Sequence, residues 1–237
     1  MTMQVLLEKQ QISKARHELQ RKGASVVDSF VRRLLRRLGL LSGMAVGDML
    51  KSWDVHSTIC FLESRVEKTE PLLDLGCYAS ELIVALHKLG YSNLSGADLN
   101  PALTNMPYQR HIRYAVCDFM HTRFPDSSFQ AITSISVIEH GFDSQSLLRE
   151  SSRLLKPGGY FIASFDYWPD KIDTAGTKFF GMDWLLFSRQ EVSDFIRESE
   201  SYGLFPVGEI IYDGRDRVID CGGKQYTFAW LALQKRD

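Results

Sequence analysis

The chain has few cysteines, no long apolar run, almost no excess charge and, at one place, fewer glycines than its surroundings call for. Four cysteines, Cys60, Cys77, Cys117 and Cys221, stand far apart in 237 residues. They form no CxxC pair and no spacing with histidine that reads as a zinc site, so no metal is expected and a reducing cytoplasm is the plain setting. No segment is long enough to span a bilayer. The N-terminus, with Glu8, Lys9 and Lys14 among short apolar stretches, lacks the hydrophobic run and small-residue cleavage site of a secretory leader. A cytoplasmic protein is therefore expected. With a formal net charge of −1 and 44% hydrophobic residues, nothing global argues for nucleic acid, disorder or a membrane. No internal repeat or low-complexity segment is visible.

What is present divides near residue 70. From about Met3 to Leu41 apolar residues recur at helical spacing through Val26, Val27, Phe30, Val31, Leu34, Leu35 and Leu38, with Gly39 as a stop. This predicts a helical extension or lid over residues 1–70. Its Arg32-Arg33 and Arg36-Arg37 pairs suit a membrane surface or RNA, but equally the solvated face of an amphipathic helix, which is the reading preferred. Beyond Glu70 strands alternate with helices, so residues 71–237 are expected to form an α/β domain with a doubly wound, mostly parallel sheet.

The predicted strands are Leu72 to Leu75, Leu94 to Leu99, Ile112 to Cys117, Phe129 to Ser134 and Tyr160 to Phe165. Two closing strands, Val207 to Tyr212 and Tyr226 to Leu233, are close enough to pair antiparallel. Ser80 can cap a helix carrying Leu82, Ile83, Leu86 and Leu89 that ends at Gly90, a second helix runs from about Ser146 to Leu155, and Ser188 with Glu191 has capping-box spacing before Val192, Phe195 and Ile196.

In open α/β sheets ligands sit beyond the carboxyl ends of the strands. Those ends carry Asp74, Gly76, Tyr78 and Ser80, then Asp98 and Leu99, then Asp118 and Phe119, then Ser134, Ser136 and His140, and finally Asp166. An ionised carboxylate has two acceptor oxygens and no donor, so Asp98 suits both hydroxyls of a ribose. Asp118 can take an exocyclic amine while Phe119 packs on the ring. The set suits an adenosine. Each acid also has an ordinary role as a turn former, and Cys77 reads as a small buried residue rather than a reactive thiol.

The segments Leu73-Asp74-Leu75-Gly76-Cys77, Gly96-Ala97-Asp98-Leu99-Asn100-Pro101, Asp118-Phe119, Ser136-Val137-Ile138-Glu139-His140 and Leu154-Leu155-Lys156-Pro157-Gly158-Gly159 resemble, in that order, those of class I S-adenosylmethionine-dependent methyltransferases. The resemblance covers roughly Pro71 to the C-terminus. It implies a Rossmann-like seven-stranded sheet with a reversed last strand, S-adenosyl-L-methionine as cofactor, and an acceptor bound above the fourth and fifth strands of the domain. The small-molecule branch is the nearest in character.

One departure matters. The family's turn usually reads Asp-x-Gly-x-Gly-x-Gly, whereas Tyr78 and Ser80 occupy the second and third glycine positions here. A tyrosine there is expected to cost strain or fill the crevice, which disfavours a pyrophosphate but leaves room for an adenosyl amino acid whose carboxylate meets the helix N-terminus. The leading expectation is methyl transfer to a small hydroxylated acceptor of sugar or natural-product type, most simply at oxygen. Asp74, Gly76, Tyr78, Ser80, Asp98, Leu99, Asp118, Phe119, Ser134 and Ser136 would hold the cofactor, with His140 and Asp166 at the acceptor. The alternatives are a non-catalytic relative that only binds, an RNA methyltransferase using the basic N-terminal stripe and, further off, a nicotinamide-dependent dehydrogenase. Self-association into a homodimer stays open.

Overall fold

The structure, a computed structural model, describes residues 3–28, 34–35, 37–40 and 44–236. The first of these are not helical. Met3–Val5 form β1, with Met3 and Val5 buried and Gln4 facing outward, an alternation too short to register against the helical spacing that follows. α1 (Lys9–Arg21) comes next and buries Ile12, Ala15, Arg16 and Leu19. Val26 and Val27, expected in a helix, lie in irregular chain. Phe30, Val31, Arg32, Arg33, Arg36 and Leu41 lie outside the described residues. α2 (Ser52–Glu63) buries Trp53, Val55, Ile59, Phe61 and Leu62.

The domain then alternates as its apolar period dictates: β2 (Leu72–Leu75), α3 (Glu81–Lys88), β3 (Leu94–Asp98), β4 (Ile112–Val116), β5 (Phe129–Ile135), α4 (Ser144–Leu154) and β6 (Leu155–Tyr167). Strands β4-β3-β2-β5-β6 lie parallel in that order. They are flanked by helices, and β2, in the middle of the five, is buried along its whole length, as a strand covered on both faces must be. A small hairpin follows, β7 (Lys178–Phe179) and β8 (Met182–Asp183), then α5 (Arg189–Ser201), β9 (Leu204–Pro206), β10 (Ile219–Cys221) and β11 (Lys224–Lys235). β11 runs antiparallel beside β6, with Ala163 opposite Leu231. The expected seven-stranded, mostly parallel sheet is present as the path β1-β11-β6-β5-β2-β3-β4. Among the described residues β9 and β10 widen it to nine strands.

Two further expectations shift. The strand expected at Val207 to Tyr212 is instead β9, paired with Leu233 to Lys235. Farther along, β1 occupies that edge of β11, so the segment reaches only β1, through a bridge between Met3 and Ile210. The Lys156-Pro157-Gly158-Gly159 stop falls inside β6, where a register shift against Phe129 and Ala131 absorbs it. Helix starts follow their caps. Ser80 accepts from the Leu82 N–H at 3.2 Å, and Ser188 and Glu191 form the expected capping box. Burying Leu82, Ile83 and Leu86 on α3 contributes roughly 1.5–3 kcal/mol apiece.

Candidate active site

A cavity of about 780 Å³ opens beyond the carboxyl ends of the parallel strands. One end is the turn after β2. Gly76 has φ +65°, its N–H donates to the Ala97 carbonyl at 2.8 Å, and a Cβ there would run into the Val137 side chain. The other left-handed residue of the turn is Ala79, with φ 60°. Tyr78 therefore does not carry the strain expected of it. It is half-buried, packs against the core and still lines the cavity. Its N–H donates to Asp98 Oδ2 at 2.9 Å, while Asp98 Oδ1 accepts from the Asn100 N–H at 2.8 Å. One carboxylate thus ties together the turns after β2 and β3, and each of its oxygens retains a free lone pair. Asp118 accepts from the Met120 N–H at 2.9 Å and stands exposed. Leu99 and Phe119 add apolar surface, and Ser80 caps α3 beside them.

Two expected cofactor residues are elsewhere. Asp74 is buried, does not line the cavity and accepts from the Thr133 hydroxyl at 2.7 Å across β5. Burial, reinforced by nearby Asp98, pushes its carboxyl up to about 7. Ser134 lies wholly inside the sheet, paired with Leu75 and Ala163, because β5 continues to Ile135. Ser136, just beyond, does line the cavity, with φ 55°. Cys77 is fully buried as expected. A Cβ on Gly96 would come within 2.5 Å of its sulfur, so the glycine of the second motif makes room for it.

The opposite end holds the expected His140 and Asp166 with groups that sequence reasoning missed. Asp166 Oδ2 accepts from the Trp184 indole at 2.9 Å, whereas its buried Oδ1 has no hydrogen-bond partner. His140 is half-buried, its Nδ1 is also unpartnered, and burial lowers its pKa so that it stays neutral near pH 7. Phe179 and Phe180 meet its ring at 6.0 and 5.4 Å. They belong to the β7–β8 hairpin, whose Phe180 and Gly181 both have positive φ, as a two-residue turn of this hand requires. Phe179 continues the arch through Trp184 at 5.1 Å to Tyr226 at a further 5.7 Å.

Beneath lies a carboxylate group. Glu139, fully buried, accepts from the Ser136 hydroxyl at 2.6 Å and is pushed up to about 8 by burial and by Asp166. Asp54, on α2, accepts from the Ser164 hydroxyl at 2.9 Å and is pushed up to about 6, again by burial. Lys51, just before α2, reaches over them with Gly47, Asp48 and Val55 to form one wall. That segment is held down by Arg16, whose guanidinium makes a buried two-pronged pair with Glu81 at 2.6 and 2.7 Å. Phe180-Gly181 is not one of the Asn-Gly-type pairs that announce such a turn, so the hairpin had no clear signal in the sequence. Lys51 and Asp54 carry none.

The methyltransferase domain family matches residues 73–163, spanning the turn after β2 to the middle of β6. Over that stretch the chain carries a methyltransferase domain. A 104-residue stretch is 34% identical to a sterol 24-C-methyltransferase of Aspergillus fumigatus, covering 38% of this chain and 26% of that protein. A 144-residue stretch is 31% identical to a ubiquinone biosynthesis O-methyltransferase of Cereibacter sphaeroides, covering 56% of this chain and 57% of the relative. The chain thus spans less than two thirds of either. The geranyl diphosphate C-methyltransferase of Streptomyces coelicolor shares the fold at a TM-score of 0.55 and 18% identity, over 76% of this chain and 78% of that one. No helix among the described residues is long and apolar enough to cross a membrane.

Proposed function

We propose that the chain binds S-adenosyl-L-methionine and transfers its methyl group to the oxygen of a small hydroxylated acceptor, as a cytoplasmic enzyme. The observation that carries this reading is a single cavity whose two ends differ in kind. At one end Asp98 keeps lone pairs for ribose hydroxyls, Asp118 for the adenine amine, Leu99 and Phe119 face the ring, and the Ser80-capped start of α3 suits the amino-acid carboxylate. At the other, Asp166 Oδ1 and His140 Nδ1 are buried without a hydrogen-bond partner beneath an aromatic arch. The donor set fits the cofactor. When bound, that cofactor supplies an electrophilic methyl on a sulfonium. The chain's residues hold the acceptor in line, exclude water and take up a proton at Asp166 or His140.

Within residues 1–70, the segment that carries Gly47, Asp48, Lys51 and Val55 acts in this reading as a lid, while β1 belongs to the sheet. Titration calorimetry with S-adenosylhomocysteine tests the proposal. Binding is expected, with a loss of roughly tenfold or more in Asp98→Ala, since hydrogen bonds to a charged group contribute about 1.5–3 kcal/mol. No binding by the folded protein would overturn the reading. The lipophilic acceptors named for the sterol and ubiquinone relatives agree with the apolar walls at Val137, Phe179 and Met182.

A further inference from the structure

Lys51 donates to Ser136 Oγ at 2.5 Å, and Ser136 in turn donates to Glu139. Its ammonium also rests 3.6 Å from the centre of the Phe228 ring, so its direction is set from below. Across from it, Asp166 Oδ1 stands 3.9 Å from Lys51 Nζ, with the other carboxylate oxygen tethered to Trp184. The gap is too long for a hydrogen bond. It is the right width for one intervening atom. An oxygen about 2.8 Å from both would see them about 90° apart, close to the spread between a hydroxyl's own proton and its lone pairs.

Charge narrows what that oxygen belongs to. Among the described residues lining the cavity Lys51 is the one lysine or arginine, whereas Asp48, Glu81, Asp98, Asp118 and Asp166 are acidic. With Glu81 paired to Arg16 and Lys51 facing Asp166, a carboxylate or phosphate acceptor would meet no unopposed cation among the described lining residues, and an ammonium has no lone pair to offer Lys51. We propose that Lys51 and Asp166 grip the acceptor's hydroxyl between them, Lys51 donating to its oxygen and the hydroxyl donating to Asp166 Oδ1, and that the acceptor is a neutral hydroxyl on an apolar, ring-bearing skeleton. This rests on the methyltransferase reading and adds a catalytic residue from outside the matched family region. As the oxygen–methyl bond forms, the sulfur–methyl bond breaks and its electron pair stays on sulfur, discharging the sulfonium. The hydroxyl proton passes to Asp166 Oδ1, and Lys51 offsets the negative charge that develops on oxygen. The other titratable groups around the pair are Asp54 on α2, Glu139 and His140 after β5, Cys221 on β10 and Tyr226 on β11.

The probe is 4-nitrophenol, whose phenolate absorbs visibly, titrated in the presence of S-adenosylhomocysteine. In Lys51→Met the bound probe should ionise about one pH unit or more above its value in the unaltered protein. Lys51→Arg should leave that value nearly unchanged, and Asp166→Asn should lower it by removing an opposing negative charge. A bound probe that ionises at the same pH in Lys51→Met as in the unaltered protein, or no binding of the probe, overturns the proposal. Calorimetry with S-adenosylhomocysteine on the same samples separates the two readings. If the unaltered protein takes no cofactor, the methyltransferase reading fails. If it does and Lys51→Met does too, the change in the probe's ionisation belongs to Lys51 alone.

Discussion

Asp98 and Asp166 both line the cavity, yet their surroundings treat them in opposite ways. Asp98 is bonded by two backbone N–H groups from its own and the preceding turn, and Asp118 likewise by a local N–H. At the other end Asp54, Glu139 and Asp166 are buried, each with one oxygen lacking a partner, and His140 Nδ1 joins them. Buried polar atoms without partners cost about 1–3 kcal/mol each, and of these residues Asp166 and His140 line the cavity, where a ligand's polar group can relieve that cost. The cofactor end is organised before anything binds. The acceptor end is organised for something that binds, and that difference is what an enzyme needs of its two ends.

The largest effect that would break this comparison is at the Arg16–Glu81 pair, which pins the lid to the cofactor turn. Arg16→Met strands a buried carboxylate and should cost about 3–5 kcal/mol in denaturant unfolding, whereas Arg16→Met with Glu81→Met should recover most of it. Next, Gly76→Ala should cost about 1–3 kcal/mol through its clash with Val137, and adding Val137→Ala should restore part of the loss.

The buried carboxyls of the two ends share a signature in pH. Asp54, Asp74 and Glu139 titrate at about 6, 7 and 8 when folded and near 4 when unfolded. Between those values the unfolded chain has released protons that the folded chain retains, so stability falls as pH rises from about 4 to 8. The slope is at most about 1.4 kcal/mol per pH unit per proton. Glu139→Gln should flatten the upper part of the window in thermal unfolding followed across pH. Smallest of all, Phe180→Ala should change stability by no more than about 0.5 kcal/mol, since Phe180 is 85% exposed, while weakening the binding of the phenol probe. An equal loss of S-adenosylhomocysteine binding would erase the distinction between the ends.

Much of the cofactor end was legible because its signals are local. Asp98, Leu99, Asp118 and Phe119 follow strands whose apolar runs end where the residues say, and Ser80 caps the helix it was expected to cap. Asp74 and Ser134 were misplaced for a related reason. Side chains alternate along a strand, so a position one residue from the strand end faces the sheet or the crevice according to where pairing stops. Lys51, Asp54, Phe179 and Phe180 stand outside the alternating pattern, on a short turn of helix, a following helix and a hairpin of two-residue strands. Nothing periodic marks them.

The amino-acid sequence by itself determined the order of strands, turns and caps, the five motifs and the acids at the strand ends, because apolar period and turn chemistry act over a few residues. Tertiary structure alone decided which polar groups face the cavity and which the sheet, which are left without partners, and that Lys51 meets Asp166. Desolvation and pairing belong to a group's surroundings, and those exist only once residues 115 apart in the chain are packed together.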